Sequence, residues 1–216
     1  AAPSPALPHW ADRRRRWWHA ITGTNPDSVH RYAERVREGI RQFVSRRDAP
    51  FFRQIILEPP LTLAYPEVGP FPELALPEAT PFMVAVAAHA RGDRAALRSA
   101  LAEIDAGSGN VRPGDEGPEL VRLYAWLLRE AGDTTGARTI VSRYVASLPA
   151  SSRELFNAPT GAAGLVRLLM LHAELSWLGG DRGDAQRSAA AVLTLWGDAD
   201  PILAARLTPL RQYRNP

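Results

Sequence analysis

Five histidines, His9, His19, His30, His89 and His172, are the side chains of this sequence best suited to general acid–base or metal chemistry. None stands in an H-E-x-x-H or comparable ligand spacing. The nearest pair is His172 with Glu174, but residues two apart on a helix point in different directions and make a poor shared site. A capped or partly buried histidine is therefore the expectation for each. The sequence has no cysteine and no lysine, which removes thiolate metal sites, a cysteine nucleophile, Schiff-base chemistry and a P-loop lysine. It has no G-x-S-x-G elbow and no dinucleotide glycine pattern, and Gly107-Ser108-Gly109-Asn110 reads as a turn. Arg91-Gly92-Asp93 spells an integrin tripeptide but belongs to a hairpin turn. No catalytic residue, metal or cofactor is expected; an enzyme on a helical scaffold would need groups assembled from distant segments.

The other chemistry-bearing cluster is basic. Arg13, Arg14, Arg15 and Arg16 run into Trp17 and Trp18, a combination able to meet phosphates through guanidinium groups while indoles stack on bases or enter a lipid interface. Charge is uneven along the chain: residues 1–53 carry 11 arginines against 5 acids, residues 54–120 carry 4 against 10, and residues 121–216 carry 11 against 8. The acidic middle, the net charge of only +3 and the lack of a nucleic-acid fingerprint weigh against nucleic acid. The plainer reading of the head is a helix with tryptophans in a core and arginines as its solvated flank.

Three segments should position these residues. Residues 1–57 read as a basic helical segment: a Pro-rich tail, a short amphipathic helix from His9 to about Ile21, and a second helix capped by Asn25 and Pro26. Val29, Tyr32, Val36, Ile40 and Phe43 form the apolar stripe of that second helix, with Arg31 and Glu38 outside it. Residues 58–80 are too rich in proline for a regular helix and read as an extended strap. Residues 81–216 read as helical hairpins closed by a final helix after Asp200-Pro201. No apolar run reaches transmembrane length. The Ala/Pro/Ser start resembles the end left by signal cleavage and equally a cytosolic tail, so export is a lean and the compartment stays open. Arginine as the sole basic residue beside abundant alanine points to a GC-rich bacterial genome.

Residues 81–216 contain an internal repeat marked by Gly92-Asp93, Gly132-Asp133 and Gly180-Asp181. Seven residues before each glycine stand Ala85, Ala125 and Ala173; five after it stand Leu97, Ala137 and Ala185; Leu101, Val141, Ala189 and then Ile104, Tyr144, Val192 continue the stripe. Small residues at these places are what two closely packed helices need.

At these residues the chain resembles the tetratricopeptide repeat, best in the middle copy, where Val121, Tyr124-Ala125, Leu128, Gly132-Asp133, Ala137, Val141 and Pro149 stand at the family's offsets. The outer copies depart from the pattern: Pro81 and Ala88 replace bulky residues in the first, and His172 and Ser176 fall where apolar residues belong in the third. Glycine spacings of 40 and 48 exceed the family's 34 and require extra length near Gly107–Gly117 and Pro149–Gly164. The resemblance covers about residues 81–198. It implies an all-α, right-handed α-α superhelix with a concave groove lined by the first helix of each hairpin.

That geometry would expose Glu119, Arg122, Trp126 and Arg129 in the middle copy, Arg167, Met170, Glu174 and Trp177 in the third, and Phe82, Val86 and His89 in the first. Tryptophan and arginine are prominent in binding hot spots, so the first expectation is a protein or peptide partner held in this groove by a non-enzymatic scaffold. The tryptophans could instead pack on the N-terminal helices or the strap. The alternative function is nucleic-acid or anionic-surface binding through the head.

Overall fold

The computed structural model describes Asp27, Arg31 and Glu38 and residues 81–106, 117–148, 159–196 and 201–214. The chain divides into two compact units, Ala1–Glu73 and Leu74–Pro216. In the first, Asp27, Arg31 and Glu38 are helical and exposed, for Arg31 and Glu38 in keeping with their places off the apolar stripe. The basic head, the strap and the two inter-hairpin loops lie outside the described residues.

The second unit is helical throughout its described residues. Its helices are α1 (Pro81–Ala90), α2 (Arg94–Ala106), α3 (Pro118–Ala131), α4 (Thr134–Ser147), α5 (Pro159–Leu178), α6 (Arg182–Trp196) and α7 (Pro201–Arg214). Helices α1/α2, α3/α4 and α5/α6 pair as hairpins; α3 also packs on α1, α2 and α5, α5 on α4, and α7 closes against α5 and α6. Among these helices none is long and apolar enough to cross a membrane.

The corners are the same object built three times. Gly92, Gly132 and Gly180 have φ of 70°, 99° and 83°, the left-handed region where a side chain is disfavoured. Each donates its N–H to a carbonyl three residues back (His89, Arg129, Trp177), and the following aspartate donates to one five back (Ala88, Leu128, Ser176) at 2.9–3.0 Å. This is a Schellman closure. The same aspartate then opens the next helix: its Oδ1 accepts the N–H of Ala96 at 3.0 Å, Gly136 at 2.8 Å and Asp184 at 3.1 Å respectively. Two residues thus end one helix and cap the next.

The repeat stripe is the core. Ala85, Ala125, Ala173, Ala137, Ala185, Val141, Ala189 and Val192 have no exposed surface, and Leu97, Leu101, Ile104 and Tyr144 are buried with them. Alanine at the contacts lets backbones approach, and at one place glycine is needed: a Cβ on Gly164 of α5 would stand 2.9 Å from the backbone nitrogen of Glu119 in α3. Helix α5 differs from expectation in length. It begins at Pro159, so residues 159–164, expected in the extra loop, form its first turns. Proline is suited to a helix's first position, and the tight contact at Gly164 offsets its poor helix propensity.

Candidate functional site

The residues expected along the groove fall into two groups. Nearest the corners, side chains from α1, α3, α5 and α7 form one continuous polar and aromatic strip. His89 of α1 meets the Trp126 ring edge to face, with centroids 4.6 Å apart, and lies 3.8 Å from Glu130. Arg129 holds Glu130 through Nε and Nη2 at 3.1 and 2.9 Å, and reaches α5 by donating from Nη1 to Glu174 at 2.9 Å. One turn on, Trp177 stacks on Tyr213 of α7 at 4.9 Å, while the Arg182 guanidinium lies 3.5 Å over the Trp177 ring. Trp126, Met170 and Trp177 are half-buried, and the Glu174 side chain keeps 42% of its surface.

At three positions the expectation of exposure fails: Arg122 and Arg167 retain only 4% and 5% of their surface, and Val86, in the register of Trp126 and Glu174, 3%. Glu119 and Phe82 are half-buried, as Trp126 is, Phe82 lying edge-on to Tyr124 at 5.9 Å. The reason is the number of neighbours. Helical spacing identifies the side opposite one stripe, but α3 packs on α1, α2, α4 and α5, and α5 on α3, α4, α6 and α7, so neither has a whole free face along its length. Arg13, Arg14, Arg15, Arg16, Trp17 and Trp18 lie outside the described residues.

His172 and Ser176, the two misfits of the third copy, are both buried. His172 Nδ1 is 2.7 Å from Ser188 Oγ of α6, and Nε2 is 3.1 Å from Ser142 Oγ of α4. Burial holds the ring's pKa below its ordinary value, against the opposing pull of Asp184 and Asp181, so near neutral pH the imidazole is uncharged, with one nitrogen donating and the other accepting. A serine bonded to a histidine that a third group orients has the outline of an activated nucleophile. Ser142, however, sits inside α4, where backbone N–H groups are committed to helical bonds and cannot serve as an oxyanion hole. The arrangement joins α4, α5 and α6.

Two further arginines were not singled out by the sequence reading. Arg98 donates from Nε to the carbonyl of Ala131, and Arg138 from Nη1 to that of Gly179, both at 3.3 Å. Each arginine stands six residues after its own corner glycine, and each acceptor one residue before the next. The signal was present in the sequence as arginine recurring at that place in the first two copies, with Gln186 in the third.

A depression beside the first corner, lined by His89, Gly92, Asp93, Arg94, Leu97 and Glu130, has a volume of about 180 Å³, below the roughly 300 Å³ at which small-molecule sites begin. Among the described residues no group of three or more His, Asp or Glu side chains is placed to hold a metal ion. No known protein family, curated protein or solved structure matches this chain.

Proposed function

We propose that this protein is a non-enzymatic interaction scaffold: a right-handed superhelix of tetratricopeptide-like hairpins that binds a peptide or protein segment along the strip running from His89 to Tyr213. Support for the superhelix comes from its regularity. The three corners are closed by the same bonds, and an arginine-to-carbonyl bond recurs in the same register between successive hairpins; a repeated step between units is how solenoids acquire curvature.

The observation that carries the binding reading is the continuity of the strip. Four helices from separate parts of the chain bring two tryptophans, a tyrosine, a histidine and paired charges into one half-exposed row. Rigid aromatic side chains offer large contact area at little entropic cost, and the Arg129–Glu174 pair offers a donor and an acceptor already oriented. Arg122 and Arg167 belong to the supporting interior and not to the binding row.

The test is affinity purification from extract of the source organism. The wild type is compared with a Trp126→Ala/Glu174→Arg double variant and with a Glu103→Arg/Arg143→Glu control on exposed positions of α2 and α4. A polypeptide retained by the wild type and the control but lost by the strip variant, at unchanged circular dichroism, is the expected outcome. Equal retention by all three rejects the strip.

A further inference from the structure

The side chain eight residues before each corner glycine changes in kind along the stack: Val84, Tyr124, His172. Val84, with no hairpin before it among the described residues, is 39% exposed. The other two reach back to the second helix of the preceding hairpin. Tyr124 donates its hydroxyl to the Asp105 carboxylate of α2, and His172 bonds Ser142 of α4. His172 also bonds Ser188 in its own hairpin, so one ring with 3% of its surface exposed ties together α4, α5 and α6.

Protonation disturbs this junction in two ways. A neutral ring accepts a proton from one serine and gives one to the other; the cation donates at both nitrogens, so the serine that had been donating must turn its proton elsewhere. It also brings a charge into a site closed to water, which is costly unless that charge is paired. From α6 the groups facing the ring are Asp184 and Arg187, already bonded to each other, and from the corner Asp181. From α4 the facing group is Ser142. On the other flanks of α5, Arg129 of α3 pairs with Glu174, and Tyr213 of α7 stacks on Trp177.

We infer that His172 is a pH-sensitive latch: neutral, it fastens the second and third hairpins where α4, α5 and α6 meet, and acidification releases that junction. An opened ring titrates like free imidazole, near 6.5. The closed ring resists protonation, so each pH unit below that point raises the opened population by up to about tenfold, until the closed ring protonates as well. Tyr124, in the same register of the other seam, titrates far into the alkaline range because of burial and its bond to Asp105 and gives no response of its own in mild acid. The latch concerns the scaffold itself and stands independently of what the strip binds.

Hydrogen exchange of the full chain at pH 7.5 and 5.5, scaled for the intrinsic pH dependence of amide exchange, tests this. Peptides from α6 and from α4 around Ser142 should exchange up to about tenfold faster at pH 5.5 relative to those from α2 around Asp105, and His172→Gln should abolish that difference. An unchanged difference in the variant, or none in the wild type, overturns the latch. Should His172→Gln fail to fold, titration of the wild-type histidine ring resonances decides: a His172 midpoint at or above 6.5 overturns it, and one below supports it.

Discussion

Arg138 of the second hairpin donates from Nη1 to the backbone carbonyl of Gly179 in the third, at 3.3 Å. Arg98 makes the equivalent bond to Ala131 one hairpin earlier. A carbonyl one residue before a left-handed glycine belongs to the last turn of its helix, where no intrahelical donor remains. The bond therefore fixes the position of each second helix against the following corner. Because both carbonyls can otherwise be hydrated, Arg98→Met and Arg138→Met should each cost about 0.5–1 kcal/mol, the part-buried Arg98 bond the more. With no shared partner the two losses should add, which urea denaturation of the single and double variants will show.

The corners permit a cleaner separation of backbone and side-chain effects. A Cβ at Gly132 meets nothing within 4 Å, so Gly132→Ala is penalised by its φ of 99° and by no clash, about 1–2 kcal/mol. Asp133→Ala leaves the backbone alone and removes the cap bond to Gly136, about 1 kcal/mol. Both should lower the urea midpoint with little change in the slope of the transition.

At Gly164 the penalty is steric. The new methyl would stand 2.9 Å from the Glu119 backbone nitrogen, and a helix backbone cannot yield as a side-chain tip can. Gly164→Ala, which on helix propensity alone should stabilise, is expected to destabilise by about 1–3 kcal/mol. A thermal midpoint above wild type would show that α3 and α5 do not approach this closely.

Tyrosine ionisation gives a prediction in alkali. Burial, reinforced by the negative charge of Glu119, pushes the Tyr144 phenol up to about 12, and Tyr124 is raised as well. A folded-state pKa above the unfolded value of about 10 means that this contribution to stability is complete below pH 10 and is lost as pH rises from 10 towards 12. Absorbance at the tyrosinate band should show Tyr124 and Tyr144 ionising late, together with loss of helical ellipticity; Tyr213 is raised as well, by burial and the charge of Glu174. Tyr144→Phe should flatten the decline in melting temperature across that window.

The corners and the inner stripe were legible because local stereochemistry dictates them. A glycine followed by aspartate can end one helix and cap the next within a few residues, and alanines seven before and five after the glycine must face each other across the hairpin. The row on the other side was legible only in part. His89, Trp126, Arg129, Glu174 and Trp177 come together as spacing implied, but periodicity cannot tell a helix with two neighbours from one with four, and for that reason Arg122 and Arg167 were placed at the surface. His172 stood out as polar among apolar positions. Its partners Ser142 and Ser188, 30 and 16 residues away, could be found only with the helices in place.

The order in which the helices meet has a kinetic corollary. Among the described helices every principal contact joins elements adjacent or next but one in the chain, from α1 with α2 and α3 to α5 with α6 and α7. Chains whose contacts are this local close short loops before they gain packing, and across small proteins such topologies fold orders of magnitude faster than ones built on distant pairings. The stack can begin to assemble at any hairpin and extend from it in either direction.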